Sequence, residues 1–360
     1  MSEPLTFGVE EEFFVVDAAG HLSERGGEVV EDADEPDGEL QKELTRAQAE
    51  SATAICHSPD ELLDQLKSLR AKLAGAAAKR GLRLLASGTA PLPESGPPGI
   101  TPGARYQRMA EHFGATAHSG ATCGCHVHVA IPDKEAGVRV INQVRRRLPA
   151  LLALLANSPI TDGADTGYSS WRYQQWTRWP SAGPPPRFSS LDHYESLIDG
   201  WLRAGAILDR GMVYWDVRLS DKQPTIEFRV TDVAAVPEDA ALLAVLARGL
   251  VQTALNDEEA LPELPNEVLR GHLWRASRDG AEGRIPHPVH GDLVPAPAVF
   301  DELFTHVSDA LKAAGDHEFA EEGLARHRAS GGGAQRQRDA FADGTNLCAV
   351  VDLLAVPPPS

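Results

Sequence analysis

The chain has 360 residues, 42% of them hydrophobic and 24% charged, a globular composition with enough apolar material for one large core. Its 34 Lys and Arg against 52 Asp and Glu leave a formal net charge of -18, which excludes a broad electrostatic hold on phosphate backbones or anionic lipid. The opening MSEPLTFGVEEEFF lacks the basic-then-apolar order of a signal peptide, and the apolar run at 148–156 is too short to span a membrane, so a cytoplasmic protein is expected.

Residues 5–16 read as a β-strand, rich in β-formers and closed by the turn-like Asp17-Ala18-Ala19-Gly20. The acidic stretch 28–39, ending in Pro36-Asp37-Gly38, reads as a solvated loop. Ser58-Pro59-Asp60-Glu61 predicts a helix start: a cap, a proline at the first helical position, and two acids at the positive helix end. Leu62, Leu66, Leu69 and Leu73 continue at helical spacing until Gly81. A buried strand is expected over 82–87, then a Pro- and Gly-rich connection over 91–103.

Residues 122–131 read as a strand with His126 and His128 on one face and Val127 and Val129 on the other. A helix is expected over 137–156, bent or split at Pro149. The segment 157–188 holds Tyr168, Trp171, Tyr173, Trp176 and Trp179 among glycines and prolines. It suits a substrate-covering element or a satellite hydrophobic cluster equally well. Strands over 212–219 and 225–230 pair through a turn at 220–224, and a helix follows over 238–255. Strands and helices mix without βαβ rhythm, so the fold class is α+β, in one catalytic domain over 1–356 with a frayed tail at 357–360.

On the first strand Glu10 and Glu12 share a face while Glu11 joins Val9 and Phe13 on the other. Two side-by-side carboxylates repel unless they are solvated or share a cation. The neighbours Val9, Phe13, Phe14 and Val15 argue for burial, and so for a metal site. His126 and His128 form a second pair, with a structural role the commoner fate of at least one. Glu227 and Arg229 form a third, which a surface ion pair would also explain. Cys123-Gly124-Cys125 does not have zinc spacing, and both cysteines read as small buried strand residues. There is no phosphate-binding G-x-x-x-x-G-K-[ST], no G-x-S-x-G and no H-E-x-x-H; Ser330-Gly331-Gly332-Gly333 reads as an exposed loop, with Arg336 and Arg338 beyond it as candidate phosphate holders.

Together these segments resemble the carboxylate–amine ligases related to plant-type and actinobacterial glutamate–cysteine ligases, the type 2 family. The resemblance rests on GVEEEFFVVD at 8–17, TCGCHVHVAIPD at 122–133, LPALLALLANSPITDGADTGYSSWR at 148–172, RWPSAGPPPRF at 178–188, VYWDVR at 213–218, PTIEFRVTD at 224–232 and GGGAQRQR at 331–338. It implies a six-stranded antiparallel sheet curled into a funnel with helices on its outer face. It also implies two or three Mg²⁺ ions between ATP and glutamate, and a reaction through γ-glutamyl phosphate that an amine converts to an amide. Carried over position by position, it makes Glu10, Glu12, Glu50, His126 and Glu227 metal ligands, and Glu227 and Arg229 the catalytic pair. Arg336 and Arg338 fall to ATP. The one visible departure is Ala47, Gln48 and Ala49, where apolar residues are usual.

The expected substrates are glutamate, ATP and a small amine or amino acid, with cysteine the default acceptor and a homodimer or larger homo-oligomer the family's habit. Arg172 beside Trp171, with Tyr168 near, suits an acceptor's carboxylate held against an aromatic wall. The competing readings are a kinase of guanidino or carboxyl groups on the same fold and an inactive binding or regulatory homologue.

Overall fold

The computed structural model describes residues 4–33, 40–96, 99–119, 121–257, 263–342, 344 and 346–359. Its strands are β1 (Phe7–Val16), β2 (Leu40–Lys42), β3 (Gln48–Ala52), β4 (Arg83–Leu85), β5 (Gly124–Ala130), β6 (Ile160–Thr161), β7 (Ala164–Asp165), β8 (Val217–Leu219), β9 (Thr225–Asp232), β10 (Arg284–Pro286), β11 (Leu293–Pro295) and β12 (Ala355–Val356). Eight of them form one sheet along the path β12-β4-β1-β5-β9-β8, with β3 also paired to β1 and β2 to β3. Every pairing in it is antiparallel, as expected for an α+β sheet with one wet face. The strand β1 pairs with three others and is the hub. The funnel expected from the resemblance is present, with two more strands than the six it implies.

Period-2 alternation on β1, β5 and β9 separates two environments. One face carries Glu10, Glu12, His126, His128, Glu227 and Arg229 toward a cavity. The other sends Val9, Val127, Val129, Ile226 and Phe228 into the larger hydrophobic core with the helix Pro237–Asn256. That helix is buried without a break from Asp239 to Val251 and is apolar there but for Asp239 and Arg248, the latter neutralised by Asp316 from outside the helix. The helix Pro59–Lys79 covers the same outer face. Ser58 caps it by accepting from the Glu61 amide at 3.2 Å, and Leu62, Leu66, Leu69 and Leu73 are buried. Among the described residues no helix is long and apolar enough to cross a membrane.

Two sequence expectations fail locally. Residues expected as acidic loop form the helix Gly26–Ala33, because Val29 and Val30 bury one side and Glu28 and Asp32 are neutralised by Arg80. The remainder, including Pro36-Asp37-Gly38, lies outside the described residues. The glycine run at 331–333 is not an exposed loop: Gly333 opens the helix Gly333–Phe341 against the buried Asn157 side chain, where a Cβ would lie 2.5 Å from Asn157 Oδ1. The helical stretch expected over 137–156 is split, as Lys134–Val144 and Leu148–Leu154 with Pro149 near the second start, where its missing N–H costs nothing.

Candidate active site

The sheet register builds the site. Glu12 pairs with Glu50 across β1 and β3, Glu10 with His126 across β1 and β5, His128 with Glu227 across β5 and β9, and Glu227 with Arg218 across β8 and β9. All seven side chains line a cavity of about 1190 Å³. A β-bulge at Cys125–Val127 lies immediately before His128 in the β5–β9 ladder. On the outer side of β1, Glu11 is held by Arg70 through contacts of 2.5 and 2.8 Å and belongs to the scaffold.

Two groups of potential ligands share the cavity. Glu10, His128 and Glu227 can each bring one donor atom within 4.8 Å of the others, and Glu12, Glu43 and Glu50 can do the same. His126 lies between them, with Nδ1 3.4 Å from Glu10 and Nε2 4.0 Å from Glu12. The buried Nε2 atoms of His126 and His128 have no hydrogen-bond partner. The resemblance makes His126 the ligand and leaves His128 as the alternative; the geometry instead groups His128 with Glu10 and Glu227, and leaves His126 between the two acid groups.

The electrostatics differ between the groups. Burial, and then the charge on Glu43, pushes the Glu12 carboxyl up to about 7, and burial with Glu43 and Glu10 pushes Glu50 well above the usual carboxylate range. Burial would also raise Glu10, but its contacts to His126 and His128 hold it well below that range. Burial opposes ionisation of Glu227 too, yet Arg229 and Arg218 keep it strongly acidic. Burial and Arg229 lower His126 to about 4, so its ring is neutral and able to donate a lone pair at neutral pH. Burial would lower His128 likewise, but Glu10 and Glu227 raise it.

Arg229 is ion-paired to Glu227 and sits over the Tyr214 ring at 5.8 Å; Arg218 reaches Glu227 at 2.8 and 3.2 Å. From Tyr214 an aromatic wall runs to Trp176 at 4.8 Å and Trp179 at 5.5 Å between ring centroids, with Tyr106 on the same cavity lining. The Trp176 indole N–H has no partner. Only this part of the aromatic segment lines the cavity. Its remainder is packing: the β6–β7 hairpin, and Phe188 against Tyr194 and Trp215.

The expected acceptor clamp is not at the cavity. Arg172, on the short helix Trp171–Trp176, is 1% exposed and lies behind Gly124, because Ser170 caps that helix and turns Arg172 inward. Trp171 and Tyr168 pack on each other at 5.2 Å, and the Tyr168 hydroxyl accepts from Trp274, away from the cavity lining. Arg336 is bound to Asp239 at 3.0 Å and Arg338 to Asp165 at 2.9 Å, and neither lines the cavity. Conversely, sequence reasoning passed over Glu43 and Arg218. Glu43 lies just past β2 in a charged stretch with no alternation to flag it; Arg218 was legible as a strand residue in VYWDVR but not as Glu227's partner.

The donor set suits a hard cation: carboxylates with one or two imidazole nitrogens, leaving room for water and phosphate oxygens. Cys123 and Cys125 are buried and free, and neither belongs to a ligand group among the described residues.

Comparison with known proteins places this architecture. The profile of glutamate–cysteine ligase family 2 matches residues 6–346. A Rhodococcus jostii protein provisionally named glutamate–cysteine ligase 2-1 is 51% identical over 97% of this chain and 95% of its own length. A Nocardia farcinica protein with the same provisional name is 45% identical over 96% of this chain and 91% of its own. Among solved structures, the glutamate–cysteine ligase of Francisella tularensis in complex with AMP superposes with a TM-score of 0.73 at 12% identity, covering 98% of this chain and 88% of that one. The bifunctional glutathione synthetase of Pasteurella multocida gives 0.69 at 16% identity over 98% of this chain and 52% of that one. Those two likenesses speak for the fold alone. With the family profile spanning nearly the whole chain and relatives near half identical, the protein belongs to glutamate–cysteine ligase family 2.

Proposed function

We propose that this chain is an ATP- and Mg²⁺-dependent ligase that joins the γ-carboxylate of glutamate to an amine. The observation that carries the reading is the convergence of two carboxylate groups, Glu10–His128–Glu227 and Glu12–Glu43–Glu50, on one face of the funnel beside Arg229. A pair of buried, mutually repelling acids such as Glu12 and Glu50 is costly in isolation and favourable around a shared cation. Mg²⁺ held by these groups would neutralise the phosphates of ATP and align the transfer.

The chain's own residues do the rest. Arg229, fixed by Glu227 and Tyr214, presents a cation to the group in transfer, and Arg218 keeps Glu227 ionised and oriented. A γ-carboxylate oxygen of glutamate takes the terminal phosphoryl group and ADP leaves; the amine then displaces phosphate to form the amide. The wall of Tyr106, Trp176, Trp179 and Tyr214 borders Arg229 and excludes water from that second step, so it is the region we assign to the acceptor.

The test is incubation of the protein with glutamate, MgATP and a panel of amino acids and amines, following ADP and product mass together. A new γ-glutamyl amide formed in step with ADP is expected. ADP released without an amide would identify a kinase, and no ADP under any condition would identify an inactive homologue.

A further inference from the structure

Arg172 and Arg248 are the two largest fully buried side chains among the described residues, and Arg172 does not line the cavity. Its Nε and Nη1 atoms are buried without hydrogen-bond partners. A guanidinium is left in that state only where surrounding charge compensates it. Three carboxyl groups, Glu12, Asp216 and Asp232, feel its charge, which offsets part of the burial that raises each of them. Two of the three are anchored elsewhere. Asp232 accepts from the Asn157 amide and from the Ser158 and Ser170 hydroxyls, and Asp216 accepts from the Tyr173 hydroxyl. Glu12 is the one that faces the cavity.

The link between Arg172 and Glu12 is Gly124. The Gly124 amide donates to Glu12 Oε2 at 2.6 Å, tying that carboxylate to the start of β5. The Arg172 guanidinium packs against the same residue so closely that a Cβ on Gly124 would lie 2.3 Å from Nη2 and 2.8 Å from Cζ. One side of Gly124 therefore holds a cavity carboxylate and the other is occupied by a buried cation. Trp176 closes the arrangement, its ring 5.5 Å from the guanidinium carbon. Residues that orient metal ligands from behind typically change metal affinity 10–100-fold when removed.

We propose that Arg172, acting through Gly124, is a positioning residue for Glu12, and that it sets the affinity of the Glu12–Glu43–Glu50 group for a divalent cation while leaving the Glu10–His128–Glu227 group unaffected. This rests on the metal reading of the proposed function. Arg172 fixes the direction of one Glu12 oxygen and leaves the other free for the cavity.

The experiment is Mn²⁺ binding to the full chain, read by electron paramagnetic resonance of free Mn²⁺, without substrates or turnover. Arg172→Met is expected to weaken one class of Mn²⁺ site by at least about tenfold and leave the other unchanged. Arg172→Lys, which keeps the charge, should recover part of the loss. Gly124→Ala deletes no charge but displaces the guanidinium, and should weaken the same class of site. Glu12→Gln should abolish that class, and adding Arg172→Met to it should have no further effect, since the two act on one ligand. Circular dichroism melting accompanies each variant; if Arg172→Met does not fold, Gly124→Ala and Arg172→Lys carry the test. Unchanged Mn²⁺ binding in folded variants, with only the melting point lowered, would make Arg172 a structural counter-ion and overturn the proposal. Loss of both classes together would overturn its selectivity. Wild-type protein that binds no Mn²⁺ would remove the metal reading itself, a result separable from the others because it precedes any substitution.

Discussion

Glu12 and Glu50 stand directly opposite each other across the β1–β3 ladder, two buried carboxylates in register on the cavity face. Like charges in this position destabilise a sheet, and burial amplifies the effect. Glu50→Gln removes the repulsion and a ligand together. The variant should therefore be at least as stable as wild type without metal but lose the stabilisation that Mg²⁺ gives. For a site filled at 100 times its Kd that gain is about 2.7 kcal/mol. Melting curves with and without Mg²⁺ measure both quantities, and a full Mg²⁺ response in Glu50→Gln would exclude Glu50 as a ligand.

Glu227 has two duties, as a cavity acid and as the partner of Arg218 and Arg229. Glu227→Gln should abolish ATP turnover and also destabilise the fold, because the buried Arg229 and the half-buried Arg218 lose their counter-charge. Breaking a buried ion pair costs roughly 3–5 kcal/mol. Urea denaturation gives the stability loss and ADP release under native conditions gives the activity. A folded variant with near-normal turnover would remove Glu227 from the catalytic centre.

Trp176 joins the aromatic wall to Tyr214 and has an unpartnered indole N–H at the cavity. Trp176→Ala should raise the KM for the amine acceptor roughly tenfold or more, with the KM values for ATP and glutamate changed much less, as expected for lost aromatic contact at one subsite. Steady-state kinetics with each substrate varied in turn decides it. An effect on ATP instead would assign the wall to the adenine base.

Asp216, which does not line the cavity, carries a pH dependence of its own. Burial raises its carboxyl from 3.8 to about 7, only partly offset by the Tyr173 hydroxyl and the Arg172 charge. A folded pKa above the unfolded one means that stability is fully present below about 4 and declines as pH rises toward 7. Each unit is worth about 1.4 kcal/mol. Asp216→Asn keeps a hydrogen-bonding side chain and has no proton to lose. Its stability should match wild type near pH 4 and exceed it at pH 8; equal unfolding free energies at pH 8 would show that Asp216 ionises freely.

Much of this was legible in the sequence where local pattern and burial agree. The alternation on β1, β5 and β9 put Glu10, Glu12, His126, His128, Glu227 and Arg229 on shared faces, and register then brought those faces together. The Ser58 cap and the leucine repeat fixed the helix Pro59–Lys79. What failed was direction at chain segments without a period. Arg172 sits next to Trp171 in an aromatic stretch that suits an acceptor's carboxylate, but a helix of six residues capped by Ser170 rotates it into the interior. Arg336 and Arg338 follow glycines that suggest an exposed loop, although Gly333 lets a helix approach Asn157. Glu43 had no repeating neighbour at all. Its role depends on where a hairpin places it, which only the tertiary structure shows.

The place of β1 as hub has a consequence during synthesis. The strand β1 precedes every one of its partners in the chain: β3 and β4 follow it, and β5 is made later still. Until β3 and β4 are made, Phe13, Phe14, Val15 and Val16 lie on a strand with bare edges, a template for pairing between nascent chains. The three acids that precede this apolar run keep such chains apart by mutual repulsion, the gatekeeper role that charges play beside obligatory hydrophobic strands. Glu10, Glu11 and Glu12 thus protect the chain before it folds, and only afterwards face a cavity or an arginine.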